Sequence, residues 1–120
     1  MKAYTDIEQS KKLAEILPIE SSDMHYSKHP LENYYSPMPL IGKCSKIQND
    51  IPCWSFAALF EVLPKFIGDY GKCIYYDIGG YYCGYMVDGD FMLTIEETRA
   101  NNPVDACVEM IVILYKKGLL

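Results

Sequence analysis

Three short runs rich in Tyr, Ile and Val, Cys73–Ile78, Tyr81–Val87 and Phe91–Glu96, follow one another with only Gly79-Gly80 and the Asp88-Gly89 turn between them. β-Branched and aromatic residues suit a pleated, half-buried surface, and glycine-containing pairs suit tight hairpins. That pattern commits this part of the chain to an antiparallel meander. A two-residue turn at Gly79-Gly80 pairs Ile78 with Tyr81, Tyr76 with Cys83 and Ile74 with Tyr85. Two lengths compete for the second turn. A two-residue loop puts Tyr85 on one face with Met92, Thr94 and Glu96; a three-residue loop aligns Tyr85 and Val87 with Phe91, Leu93 and Ile95. A one-residue slip turns a whole strand over, so the apolar alignment is preferred. The expected core face is Ile74, Tyr76, Ile78, Tyr81, Cys83, Tyr85, Val87, Phe91, Leu93 and Ile95. Tyr75, Tyr82, Met86 and Met92 then share the other face.

A meander of this kind needs a cover, and the flanking sequence supplies helices. Asn102 is placed as an N-cap, Pro103 at the first helical position, and Asp105 beside the positive end of the helix dipole. Val104, Cys107, Val108, Ile111, Leu114 and Tyr115 recur at helical spacing, and Gly118 suits a left-handed cap with Leu119 folding back. Near the start, Thr5 and Glu8 have capping-box spacing, and Pro18 stops the run, which predicts a helix over Asp6–Leu17. Cys53–Leu63 is apolar except for Ser55 and Glu61. It reads as a buried helix anchored by Trp54 and ended by Pro64. The fold class is α+β, in the order α-α-β-β-β-α.

The length of 120 residues suits a single domain over 1–120, and half of the residues are hydrophobic, as in a folded globular chain. No apolar run reaches the roughly 20 residues needed to cross a bilayer. Eleven Lys+Arg stand against 16 Asp+Glu. Residues 1–72 carry 8 basic and 9 acidic groups and residues 73–120 carry 3 and 7, with Arg99 the only arginine. Nucleic-acid binding draws on clustered Lys and Arg, so neither nucleic acid nor membrane is an expected partner. The first eight residues lack the apolar core of a signal peptide, which points to the cytoplasm and to reduced thiols for Cys44, Cys53, Cys73, Cys83 and Cys107.

Residues 18–52 hold five of the seven prolines and both histidines, and form a long irregular segment. Met38-Pro39-Leu40-Ile41 reads there as a short edge strand.

The Pro52-Cys53-Trp54-Ser55 opening and the closing run Asn102-Pro103-Val104-Asp105-Ala106-Cys107-Val108-Glu109-Met110-Ile111 carry a resemblance. Together with the first helix they are similar to a group of short uncharacterised proteins of gut Bacteroidales, often encoded near phage or mobile-element genes. The resemblance implies an intracellular bacterial protein with a mobile-element accessory role. That group has no known activity, so it implies no catalytic residue.

Zinc, nucleophilic catalysis and phosphate binding each find weak support in the residues. Cys44, Cys53, Cys73 and Cys83 lack the close C-x₂₋₄-C spacing of a zinc knuckle. His25 and His29 are four apart, but Pro30 argues against a helix that would join them. Cys44 or Cys73 as nucleophile with either histidine as base lacks any recognisable local motif. Glu96-Glu97 and Asp88/Asp90 read as solvated carboxylates, and Gly79-Gly80 as a turn rather than a phosphate loop. No catalytic residue, cofactor or metal is therefore expected.

Eleven tyrosines make the non-core face the most informative surface. Tyr75, Tyr82, Met86 and Met92 are the candidate interaction residues, because Tyr and Met are favoured where a surface becomes covered. That cover is either the 18–52 segment, with Tyr26, Tyr34 and Tyr35, or a partner. The sequence thus favours a non-enzymatic protein-interaction or adaptor module, binding a protein partner or a second copy as a homodimer. The alternatives are a small Cys/His-dependent hydrolase or transferase with 18–52 as a lid, and a small-ligand binder with a Tyr-lined pocket.

Overall fold

The computed structural model describes residues 1–28, 34–45, 49–87 and 90–120, with the backbone alone over 90–95. It is mixed α+β, with three α-helices and two antiparallel sheets. By packing, the chain forms two compact units, 3–58 and 59–120 with residues 1–2, and the division falls inside the second helix.

The first unit begins with α1 (Ile7–Ala14). Its capping box lies one residue later than the Thr5/Glu8 spacing suggests: Gln9 N–H donates to Asp6 Oδ1 at 2.8 Å, and Asp6 N–H donates to Gln9 Oε1 at 3.1 Å. Asp6 can cap because Thr5 is engaged elsewhere, fully buried with its hydroxyl 2.8 Å from that of Ser10. The helix also ends three residues earlier than expected, in a turn over 15–17 closed by Leu17 N–H on the Leu13 carbonyl.

The long irregular segment contains a small sheet, which corrects the expectation of one meander. A 3₁₀ turn (Ile19–Ser21) leads into β1 (Met24–Tyr26), flanked by β2 (Leu40–Ile41) and β3 (Ile51–Cys53) in the order β2-β1-β3. Leu40-Ile41 is the edge strand foreseen around Pro39. Pro52 is tolerated in β3 because that strand also lies at an edge. Cys53 ends β3 rather than opening a helix, and Trp54 sits in the link that follows. Tyr26, Ile51 and Cys53 form a buried cluster joined by Tyr4, Ile7, Met24 and Tyr35.

The second helix, α2 (Phe56–Val62), is three residues shorter at its start than predicted, and only Leu59 within it is buried. Ser55 is the reason for the late start: its Oγ accepts the Ala58 N–H at 3.2 Å, as an N-cap does. Once Cys53 and Trp54 leave the helix, its remaining apolar surface no longer demands complete burial.

The second unit is a four-stranded sheet, β4 (Phe66–Ile67), β5 (Tyr70–Asp77), β6 (Gly80–Val87) and β7 (Asp90–Ala100), in chain order, with α3 (Pro103–Lys116) packed on β6 and β7. The β5–β6 register is Tyr76↔Tyr81, Tyr75↔Tyr82 and Ile74↔Cys83, closed by Asp77↔Gly80. The turn is therefore Ile78-Gly79 rather than Gly79-Gly80. This slip of two residues keeps every side chain on its expected face. Gly80 belongs in the strand because its φ is +136° and a Cβ there would stand 2.5 Å from the Ala100 carbonyl oxygen.

The β6–β7 alignment is corrected as well. Between Val87 and Tyr85 β7 advances from Asp90 to Glu96, through two register irregularities. Tyr85 consequently faces Glu96, with Cys83 opposite Thr98 and Tyr81 opposite Ala100. The side chains of Phe91, Leu93 and Ile95, assigned to the core face, lie outside the described residues. Where the sequence reading placed an apolar row, Thr98 is buried and donates to the Ala106 carbonyl of α3 at 2.7 Å.

The closing helix matches its sequence signals. Asn102 Oδ1 accepts the Asp105 N–H at 2.9 Å. At the other end, Gly118 N–H reaches the Tyr115 carbonyl and Leu119 N–H the Leu114 carbonyl, a Schellman motif with Gly118 at φ +71°.

Candidate interaction surface

The β5–β6 hairpin ends in two cross-strand tyrosine pairs, one on each face. Tyr75 and Tyr82 stack with ring centroids 5.0 Å apart and planes within 5° of parallel. Their direct opposition follows from the two-residue slip, since the expected register would have set Tyr75 against Gly84. On the other face Tyr76 and Tyr81 meet at 5.0 Å with a 57° tilt. Pairs of this kind contribute about 0.2–1 kcal/mol each to a hairpin.

Tyr75 is fixed further by its hydroxyl, which donates to Glu97 Oε2 at 2.7 Å. Burial, followed by that bond to a carboxylate, pushes its ionisation above the ordinary tyrosine range. Arg99 lies opposite Tyr82, its guanidinium carbon 3.3 Å from where a Cβ on Gly79 would stand.

Of the four candidate residues, the structure pairs Tyr75 with Tyr82, both half-buried. Met86 is 3% exposed and adds no open surface to the ladder. The side chain of Met92 lies outside the described residues. Two residues assigned to the core are exposed instead, Tyr76 at 71% and Ile78 at 95%. The reason is reach: α3 packs on β6 and β7 and leaves the far end of β5 without helical cover. Ile78 had a local warning in the sequence, because a residue beside Gly79 is as readily a turn residue as a strand end. Phe66 on β4 is also exposed.

The residues weighed for catalysis are placed in structural roles. Cys44 donates to the Asp50 carbonyl at 3.3 Å, and Cys73 to that of Gly84 at 3.4 Å. Burial pushes the thiols of Cys44, Cys53 and Cys73 up, and for Cys83 the hydrogen bond to Cys107 comes first and burial second. A thiol activated by its surroundings as a resting thiolate shows the opposite shift. His25 Nδ1 lies 3.0 Å from the Gly42 carbonyl oxygen, while His29 lies outside the described residues. Asp88 and the side chain of Asp90 lie outside them too. Glu96 pairs with Lys117, and Lys117 belongs to the end of α3. Among the described residues no group of three or more His, Cys, Asp and Glu could hold a metal ion, and no helix is long and apolar enough to cross a membrane.

Lys72 was not singled out by its sequence context. Its ammonium donates to the carbonyls of Phe60 at 2.5 Å and Leu63 at 3.2 Å and stands 4.5 Å from the Phe60 ring centroid. It thus caps the C-terminal end of α2 from β5. Comparison with protein-family models, curated proteins and solved structures finds no match to this chain.

Proposed function

We propose that this chain is a non-enzymatic protein-interaction module that engages a protein partner through the tyrosine-paired end of the β5–β6 hairpin, in an adaptor or mobile-element accessory role. One observation carries the reading: Ile78, at the turn, is 95% exposed beside Tyr76 at 71%. Turn positions favour Gly, Asn and Asp, which tolerate left-handed backbone angles, and Pro, which pre-sets its own, and an isoleucine there contributes neither. Tyrosine offers a large amphipathic surface at a low entropy cost, particularly when a neighbouring ring already holds it. The Tyr75–Tyr82 stack and the Tyr75–Glu97 bond preorganise the hairpin, which lowers the ordering cost of association.

The test compares proteins retained from the producing cell by the wild type, by Ile78→Asp and by Tyr82→Lys. A partner held by the wild type and lost by both variants, with melting temperatures unchanged for Ile78→Asp, supports the reading. Equal retention by all three overturns it.

A further inference from the structure

We infer that the protein partner of the hairpin end presents an Asp or Glu carboxylate to Arg99, close in its own chain to an apolar side chain seated on Ile78. The inference rests on the interaction reading above and names the chemistry that the partner must carry.

Arg99 is the only basic residue between Lys72 and Lys116, a stretch that holds seven Asp and Glu. β7 sets it directly opposite Tyr82, so it shares a face with the Tyr75–Tyr82 stack. From there its side chain runs towards the end of the hairpin. Its Cγ lies 3.7 Å from where a Cβ on Gly80 would stand, and its guanidinium carbon 3.3 Å from that of Gly79. Gly79 follows Ile78 in the turn, so the charge lies beside a side chain that is 95% exposed. Consecutive Cα atoms are about 3.8 Å apart, so one short partner segment reaches both.

Two acids share that face, and each is held by a neighbour. Asp77 Oδ1 accepts the Ile78 N–H at 2.7 Å, and Glu97 Oε2 accepts the Tyr75 hydroxyl at 2.7 Å. Arg99 is exposed, and among the described residues its side chain has no ion pair or hydrogen bond. A guanidinium is a planar fork of N–H donors that matches a carboxylate in bidentate fashion. Because it already lies against the two glycines, less rotamer freedom is left to lose on binding. A phosphate group fits less well, since its recognition draws on clustered arginines and its higher charge meets Asp77 and Glu97. A basic side chain at this place would face the guanidinium itself. Charge complementarity therefore selects the carboxylate and fixes the alignment, while Ile78 supplies the apolar contact.

The test selects a displayed library of random peptides on the immobilised full chain, as wild type, Arg99→Gln, Arg99→Glu and Ile78→Asp. Wild type is expected to enrich Asp or Glu close to an apolar residue. Titrated into wild type, the enriched peptide should shift the amides of Ile78, Gly79 and Arg99. Its affinity should fall about tenfold or more for Arg99→Gln, as expected for one lost charge-assisted contact. Arg99→Glu should enrich Lys or Arg in place of the acid. A readout that needs no variant is salt, which should weaken binding of the peptide to wild type. Enriched peptides without an acid, an affinity unchanged by Arg99→Gln or by salt, acids still enriched by Arg99→Glu, or a library that yields no binder each overturn the inference. Peptides that lose Ile78→Asp but bind both Arg99 variants like wild type overturn it alone and leave the hairpin reading standing. Peptides indifferent to Ile78→Asp as well contradict both.

Discussion

Thr5 and Trp54 are bound to each other twice: the Thr5 N–H donates to the Trp54 carbonyl at 3.0 Å, and the Trp54 N–H donates to the Thr5 hydroxyl at 3.1 Å. Both residues are fully buried. The Thr5 carbonyl also accepts the Tyr26 hydroxyl at 2.8 Å, and the Trp54 indole N–H donates to Ser21 Oγ at 2.9 Å. The start of the chain, the 3₁₀ turn, β1 and the link after β3 thus meet at these two residues.

Truncating Trp54 to Ala should cost on the order of 3–5 kcal/mol, through lost burial and the cavity left behind. Thr5→Val keeps the shape but leaves a buried amide without its acceptor, for a loss of about 1–3 kcal/mol. Chemical denaturation of the two variants checks both values. A Trp54→Ala protein as stable as wild type would remove Trp54 from the core of the first unit.

In the second unit, Lys72→Met should lower stability by about 1.5–3 kcal/mol, because the methionine fills the space but leaves the Phe60 and Leu63 carbonyls uncapped. Thermal melts at neutral pH measure the loss, and an unchanged melting temperature would contradict the capping role.

Tyr85 gives a pH dependence with a defined sign. It is fully buried, donates to the Pro64 carbonyl at 2.6 Å, and burial pushes its ionisation above the ordinary value of 10.0. The folded state favours the protonated phenol, so its contribution is complete below about pH 10 and is lost as pH rises further. Tyr85→Phe should be about 1 kcal/mol less stable at pH 7, and the gap to wild type should narrow above pH 10. Denaturation curves from pH 7 to 11 decide it, and a constant gap would refute the assignment.

Two glycines should differ in cost. Gly80→Ala places a Cβ against the Ala100 backbone at a strained φ and should cost more than the 1–3 kcal/mol typical of strain alone. Gly118→Ala has nothing within 4 Å and should cost about 1 kcal/mol, from the left-handed conformation. Equal melting temperatures for the two would argue against the close β6–β7 approach.

The difference between what the sequence revealed and what it hid follows the range of the interactions. α3 was legible because its N-cap, N1 proline, apolar stripe and Gly118 all act within a few residues. The faces of β5 and β6 were legible too, since a period of two survives a slip of two. The β2-β1-β3 sheet was not, because strands of two or three residues such as Met24–Tyr26 leave no periodic trace. They are defined by partners as distant as Cys53, opposite Met24. The β7 register was missed because an apolar alignment through Ile95 looked better than one with Glu96, and the bulges that produce the latter carry no local signature. At the hairpin end the stacked tyrosines were on their expected face, but the exposure of Tyr76 and Ile78 depends on where α3 stops covering the sheet.

Photocrosslinking from position 78 tests the central claim most directly. A photoreactive residue in place of Ile78, introduced in the producing cell, should capture a defined protein partner, while the same group in place of Lys11 on α1 should not. Crosslinks equally abundant from both positions, or none from position 78, would contradict the hairpin end as the recognition surface.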